Sequence, residues 1–264
     1  IIDTLIQAYR IAEIVKIPVM VCYDGFVLSH TMMPVEIPDA ETVDAFLPPY
    51  HAHTILSPED PRNINPVTFP WRRADQDGVM CDGYMELRYK LQTALEAAGE
   101  TIAAVGRDFA ERFGRDHGGL LWRYRTEDAD VILTGMGSIA TEATMAVDAL
   151  REQGIAAGVV GLRVYRPFPK AAVREAFRDA RAVLVMEKDI SYGYEGALCS
   201  DLKAAFYGTE ISAPIHNVVA GLGGRDVKAR ELAEVTREIL DRIAAGQPEG
   251  PTTWLNCRTD TLTE

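Results

Sequence analysis

The chain is predicted to be α/β, on three observations. From Ala129 onward, short apolar runs alternate with amphipathic helical patterns. Between Tyr84 and Phe113 apolar residues recur in steps of three and four. Between Ser29 and Arg73 eight prolines interrupt any regular pattern. The first pattern demands a parallel sheet covered on both faces, because apolar strands joined by helical crossovers bury both sides. The second gives one or two long helices, and the third an extended linker, since proline can sustain neither a helix interior nor a sheet ladder.

The elements follow in order. Leu5, Ala8, Tyr9 and Ala12 are spaced for a helix, and Ile17-Pro-Val-Met-Val-Cys-Tyr23 reads as a strand running into Asp24-Gly-Phe26. With no initiator methionine, this helix-strand pair reads as the close of a domain entered part-way. Residues 1–30 form the first division and residues 31–80 the proline-rich linker, with one short helix at Ala40 to Phe46. Residues 81–128 form the helical connection, in which Gly99 and Gly106 are candidate bends.

Residues 129–246 form the α/β domain. Strands are expected at Val131 to Thr134, Ala157 to Val164, Ala182 to Met186 and Ile215 to Val219. Helices are expected at Ile139 to Gln153, Lys170 to Arg178 and Gly196 to Tyr207, with a last one ending near Ala245. Residues 247–264 form a tail carrying two prolines and Trp254, expected to pack against a neighbour.

Composition removes some functions. The 264 residues carry a formal charge of -12, and no stripe of Lys and Arg is available to meet nucleic-acid phosphates. Cys22, Cys81, Cys199 and Cys257 contain no Cys-x-x-Cys pair, so they spell neither a zinc nor an iron-sulfur site, and a reducing cytoplasm fits such usage. No run reaches the ~20 apolar residues of a membrane span.

Gly135-Met-Gly-Ser-Ile-Ala140 meets a Gly-x-Gly-x-x-Ala pattern between a strand and a helix. Its amides and helix dipole suit a pyrophosphate. A dinucleotide site also wants an acidic residue at the end of the second strand, where this chain has Arg163, which suits a 2'-phosphate and hence NADP. The plainer alternative is a tight turn with close helix packing.

Ser29-His30 are neighbours in sequence, a poor geometry for nucleophile and base. They read rather as a hydrogen-bonded pair at a strand end. His51 and His53 lack a third ligand for a metal, and His117 and His216 show no partner. Lys188, after an apolar strand, is either a desolvated base or a solvated residue at the strand's carboxyl end.

Taken in order, Tyr23-Asp-Gly-Phe-Val-Leu-Ser-His-Thr31, Pro34-Val-Glu-Ile-Pro-Asp39, Phe46-Leu-Pro-Pro-Tyr50, Gly135-Met-Gly-Ser138, Leu162-Arg-Val-Tyr-Arg-Pro-Phe-Pro169, Asp189-Ile-Ser-Tyr-Gly-Tyr-Glu-Gly196 and Gly221-Leu-Gly-Gly-Arg-Asp226 closely resemble the alpha subunit of the thiamine-diphosphate-dependent 2-oxoacid:ferredoxin oxidoreductases. The resemblance spans nearly the whole chain. It implies that residues 1–30 end a pyrimidine-binding domain and that residues 129–246 are a transketolase carboxyl-terminal-like domain.

It further implies thiamine diphosphate with Mg shared with a beta subunit, [4Fe-4S] clusters and coenzyme A in a complex with gamma and ferredoxin-like delta subunits, and a cytoplasmic location. The default reaction is conversion of pyruvate to acyl-CoA with electrons passed to ferredoxin. Met32-Met33 and Glu187-Lys-Asp189 depart from the family pattern and leave an aromatic 2-oxoacid such as phenylglyoxylate open, with NAD as final acceptor and FAD or NAD as cofactor.

The resemblance places no catalytic residue in this segment. Gly135, Gly137, Ser138, Gly223, Gly224 and Arg225 are candidate contacts for an anion or coenzyme A. Asp24, Gly25, Ser29 and His30 are expected near the active-site domain. Two other classes stay open: a non-catalytic assembly module and an NADP-binding domain.

Overall fold

In the computed structural model, residues 1–47, 49, 73–74, 78, 80–248, 250–259 and 262 are described. Their elements in chain order are α1 (Ile2–Val15), α2 (Val27–His30), α3 (Ala40–Phe46), β1 (Arg73–Ala74), β2 (Met80–Cys81), α4 (Tyr84–Phe113), β3 (Leu121–Tyr124), β4 (Val131–Gly135), α5 (Ser138–Arg151), β5 (Ala157–Leu162), α6 (Lys170–Ala176), β6 (Ala182–Glu187), α7 (Ala197–Phe206), β7 (Ile215–Val219), α8 (Ala229–Ala244) and β8 (Thr253–Trp254), with a 3-10 turn at Leu222–Gly224 before α8. They divide into two units, residues 1–21 with 36–116, and residues 22–35 with 117–264.

In the first unit α1 and α3 pack on α4. The helix α4 runs unbroken through Gly99 and Gly106. It buries Ala98, Ile102, Val105 and Phe109, a stripe at helical spacing. Phe46 and Phe109 are fully buried and meet edge to face at 5.5 Å, while the Arg10 guanidinium lies 4.4 Å over the Phe46 ring. Arg10 and Arg112 both pair with Asp108, and the Arg112 hydrogen bond leads in holding that carboxyl below its usual range.

The expected strand Ile17 to Tyr23 does not form: these residues carry no regular structure and no backbone ladder. The sequence has strand composition, but a strand exists only with a neighbour to take its N–H and C=O groups. None among the described residues does.

The second unit contains the expected sheet. Its order is β3-β5-β4-β6-β7-β8, with β5, β4, β6, β7 and β8 parallel and β3 antiparallel at the edge. Register is set by alternation along each strand. Val131, Leu133, Val159, Leu184, Met186 and Val218 face a core closed by Ile139, Ala143, Val147 and Leu150 of α5 and Leu232, Val235 and Ile239 of α8. Ile132, Val160, Leu162, Val183 and Val185 face a second core closed by Val173 of α6 and Leu198 and Leu202 of α7. Each expected strand and helix of this domain is present within a few residues of its expected bounds.

Two strands of this sheet, β3 and β8, are additions. In β3 the partly buried Leu-Trp-Arg-Tyr run has no clean period, and in the tail Thr253 and Trp254 pair with Val218 and Val219, so this part of the tail extends the chain's own sheet.

Candidate functional site

The chain leaves β4 toward β5 on one side and returns past β4 to β6 on the other. Such a reversal opens a crevice at the carboxyl edge of the sheet, where ligands of doubly wound folds bind. Here Gly135 to Ser138, Lys188 after β6 and the turn after β7 line that edge, and Asp24 and Phe26 lie against them.

Asp24 meets the start of α5. Its Oδ2 accepts from the Ser138 backbone N–H at 2.6 Å. Lys188 Nζ donates to Ser138 Oγ at 2.8 Å and stands 3.4 Å from Asp24 Oδ1. The Asp24 and Lys188 side chains are 12% and 22% exposed, so this pair is shielded but not sealed. Gly137 caps the helix at φ 65, ψ -145, a backbone state essentially confined to glycine. A Cβ there would sit 2.9 Å from Asp24 Oδ2. The positive end of the α5 dipole, worth about 0.3–1 kcal/mol to a nearby anion, is thus engaged by a carboxylate of the same chain.

Two residues on, Phe26 has φ 62 and ψ -64, and Val27 N–H donates to Gly25 C=O at 2.8 Å. This is a γ-turn of the rare positive-φ kind, costing on the order of 1–3 kcal/mol for a residue with a side chain. The Phe26 ring lies against Gly224, where a Cβ would come within 2.4 Å of it, and stacks on His30 with centroids 5.3 Å apart. Phe26 N–H donates to Ser29 Oγ at 2.9 Å, and Ser29 Oγ lies 2.7 Å from His30 Nδ1. Ser29 and His30 therefore form a hydrogen-bonded pair at a turn.

The end of β6 repeats the scheme without a lysine. Glu187 is 3% exposed. Its Oε1 accepts from Leu198 N–H at 2.5 Å, and its Oε2 from Cys199 N–H at 3.2 Å and Asn217 Nδ2 at 2.7 Å. Three donors favour the carboxylate, yet burial outweighs them, and the nearby Asp189 charge adds to it, raising the Glu187 pKa to about 7. Gly196 makes room: a Cβ there would fall 1.8 Å from Glu187 Oε2. Asp189 Oδ2 accepts from Ala197 N–H at 3.2 Å. Burial also pushes the neighbouring Cys199 thiol up to about 12, which keeps it protonated and unreactive. At α8 the first amide, Ala229 N–H, donates to Glu142 Oε1 at 2.8 Å.

The sequence candidates thus fall into place unevenly. Asp24, Gly137, Ser138, Lys188 and Gly224 converge on one crevice although 200 residues separate the first from the last. Gly135 ends β4 against the Met186 carbonyl, while Gly25 and Gly223 have open space where a Cβ would point. Arg225 donates to the Asn256 carbonyl, and Arg163 to the carbonyls of Gly118 and Gly119. Lys188 is partly shielded from solvent and paired with Asp24.

His216 is buried, its Nε2 without a partner among the described residues. Cys22 and Cys257 are exposed thiols. His51 and His53 lie outside the described residues, as does the Cys81 side chain. Among the described residues no three His, Cys, Asp or Glu side chains gather as a metal site, and no helix is long and apolar enough to cross a membrane. Asp24 and Glu187 were not singled out together by sequence reasoning. Glu187 and Asp189 precede Gly193 and Gly196 in sequence, whereas no acidic residue lies beside the Gly135 to Ser138 turn.

Comparison with known proteins bears on both units. Residues 1–105 match the thiamine-diphosphate-binding domain of pyruvate flavodoxin/ferredoxin oxidoreductases, and residues 129–232 match core domain II of pyruvate:ferredoxin oxidoreductase. Pyruvate synthase subunit PorA of Methanothermobacter thermautotrophicus is 36% identical over 97% of this chain and 62% of its own length. Ketoisovalerate oxidoreductase subunit VorA of Pyrococcus horikoshii is 34% identical over 97% of this chain and 62% of its own.

Among solved structures, a 2-oxoglutarate:ferredoxin oxidoreductase from Magnetococcus marinus aligns with 62% of this chain and 25% of its own at TM-score 0.41 and 16% identity. The chain spans somewhat under two thirds of the length of the curated relatives it matches. With both domain matches in order and relatives aligned along nearly its whole length, the chain belongs to the alpha-subunit family of the 2-oxoacid:ferredoxin oxidoreductases.

Proposed function

We propose that this chain serves as the alpha-subunit portion of an enzyme that oxidatively decarboxylates a 2-oxoacid, pyruvate by default, to an acyl-CoA, with electrons passed through iron-sulfur clusters to ferredoxin. The observation that carries the reading is the paired domain match, thiamine-binding followed by core domain II, along a chain whose relatives are named pyruvate synthase and ketoisovalerate oxidoreductase subunits. The division into a pyrimidine-side domain, linker and transketolase-like domain belongs to this proposal, as do beta, gamma and delta partners and a cytoplasmic setting.

Thiamine diphosphate would supply the nucleophilic and electron-accepting chemistry that decarboxylation of a 2-oxoacid needs. The residues of the second unit do not fit its diphosphate. The amides at the starts of α5 and α7 are engaged by Asp24, Glu187 and Asp189, and no metal cluster accompanies them among the described residues. No catalytic step is assigned to these side chains. Their role in the proposal is to close the carboxyl edge of the sheet and hold residues 24–30 against it. Coenzyme A contact at Gly223, Gly224 and Arg225 stays part of the proposal only as a surface role, since the Arg225 guanidinium is already tied to Asn256.

The test is acceptor reduction by the complete protein purified with its partner subunits, supplied with pyruvate, 2-oxoisovalerate or phenylglyoxylate. Reduction of ferredoxin that requires both a 2-oxoacid and coenzyme A is the expected result. Phenylglyoxylate turnover with NAD would move the substrate to the aromatic branch, and no turnover with any 2-oxoacid would sink the proposal.

A further inference from the structure

Residues Asp24 to His30 hold a conformation that their own hydrogen bonds do not explain. The bonds inside the segment, Val27 N–H to Gly25 C=O, Phe26 N–H to Ser29 Oγ and His30 N–H to Phe26 C=O, shape a turn but tie it to nothing else. The turn places Phe26 at positive φ, a state that persists only where surroundings over-determine it. Tyr23, Phe26, Val27, Ser29 and His30 are exposed, so burial of the segment is not what fixes it.

We propose that Asp24 and Lys188 form a lock that fastens residues 24–30 as a strap over the carboxyl edge of the sheet, and that the strap positions the imidazole of His30. The lock has three parts on the second unit: the Ser138 amide, the Ser138 hydroxyl reached by Lys188, and the Lys188 ammonium beside Asp24. A second hold lies two residues further on, where the Phe26 ring lies against Gly224. Between the two holds the chain must turn sharply, which is what sets Phe26 at positive φ.

The ring of His30 is then determined from two sides, stacked on Phe26 and bonded through Nδ1 to Ser29, leaving Nε2 as the nitrogen not engaged by Ser29. Asp24 and Lys188 act on His30 through the backbone and are positioning residues. This inference goes beyond the proposed activity and does not depend on it.

Amide hydrogen exchange of the complete protein in its assembled state tests the lock. In Asp24→Asn and Lys188→Met, peptides covering residues 25–31 are expected to exchange about tenfold faster, with the β4 and β6 strands at wild-type rates, as for a local opening. Lys188→Arg keeps the charge and is expected to restore slow exchange. Wild-type rates at residues 25–31 in both charge-removing variants would overturn the lock. Equal acceleration of strap and strands would also overturn it, since Asp24 would then support the whole unit. Failure of Lys188→Arg to restore slow exchange where Lys188→Met has lost it would overturn the ion-pair part.

Discussion

The ends of β4 and β6 solve the same problem with different outcomes. Each strand runs into a turn that starts a helix, and each helix start is met by a carboxylate of the same chain. Asp24 reaches the start of α5 from 114 residues away, with Lys188 and some solvent beside it. Glu187 reaches the start of α7 from 11 residues away, sealed from solvent and with Asp189, another acid, nearby. Helix N-termini attract anions in both places. What differs is the cation and the water. Without them the cost of burying a charge exceeds what three hydrogen bonds return, and the Glu187 carboxyl is raised toward neutrality.

The most damaging change should therefore be at the sealed end. Gly196→Ala puts a methyl group 1.8 Å from Glu187 Oε2, and because the carboxylate can move aside only by giving up its three buried hydrogen bonds, it is expected to cost about 3 kcal/mol or more. Urea unfolding followed by fluorescence reads this, since Trp122 packs over Gly161 and Trp254 lies in β8.

Asn217→Leu comes next. Asn217 Nδ2 donates to Glu187, and its Oδ1 accepts from Gly196 N–H and Thr252 Oγ1. Leaving buried partners unsatisfied is expected to cost about 1–3 kcal/mol, read in the same unfolding curves.

Asp24→Asn should be milder, about 1 kcal/mol in overall stability, because its pair is partly solvated. A loss as large as that of Gly196→Ala would erase the distinction between the two ends.

The smallest effect concerns His216, whose imidazole is held below its ordinary value by burial, with Arg242 adding to it. Its stabilising contribution is present above pH ~6.5 and is lost as pH falls through its folded value. His216→Leu should flatten that part of the stability profile.

Much of this architecture was legible in the sequence, for a simple reason. Strands β4 to β7 are buried on both faces, so Val131-Ile-Leu133 and Ala182-Val-Leu-Val-Met186 appear as unbroken apolar runs. Where the physics depends on a remote partner the sequence was silent or misleading. Ile17 to Tyr23 has strand composition without a strand beside it, and β8 is two residues that become a strand only because Val218 and Val219 lie next to them.

The Gly135-Met-Gly-Ser138 turn looks like a phosphate cradle because a helix start with glycines is one. Nothing local to it announces that Asp24 supplies the anion. Lys188 was ambiguous alone for the same reason, its meaning residing in Asp24 and Ser138. Glu187 is the reverse case, since its partners Leu198 and Cys199 are close in sequence, but its third donor, Asn217, lies on another strand.

The contrast between the two ends is tested most directly by the pH dependence of Glu187→Gln. A carboxyl whose folded pKa is raised above its unfolded value contributes stability that is fully present below pH ~4.5 and lost as pH rises through about 7. Wild type should lose on the order of 2 kcal/mol relative to Glu187→Gln across that interval, most of it before pH 8. Parallel stability profiles for the two proteins from pH 4.5 to 8 would contradict the account, because Glu187 would then ionise in the folded chain as readily as in the unfolded one.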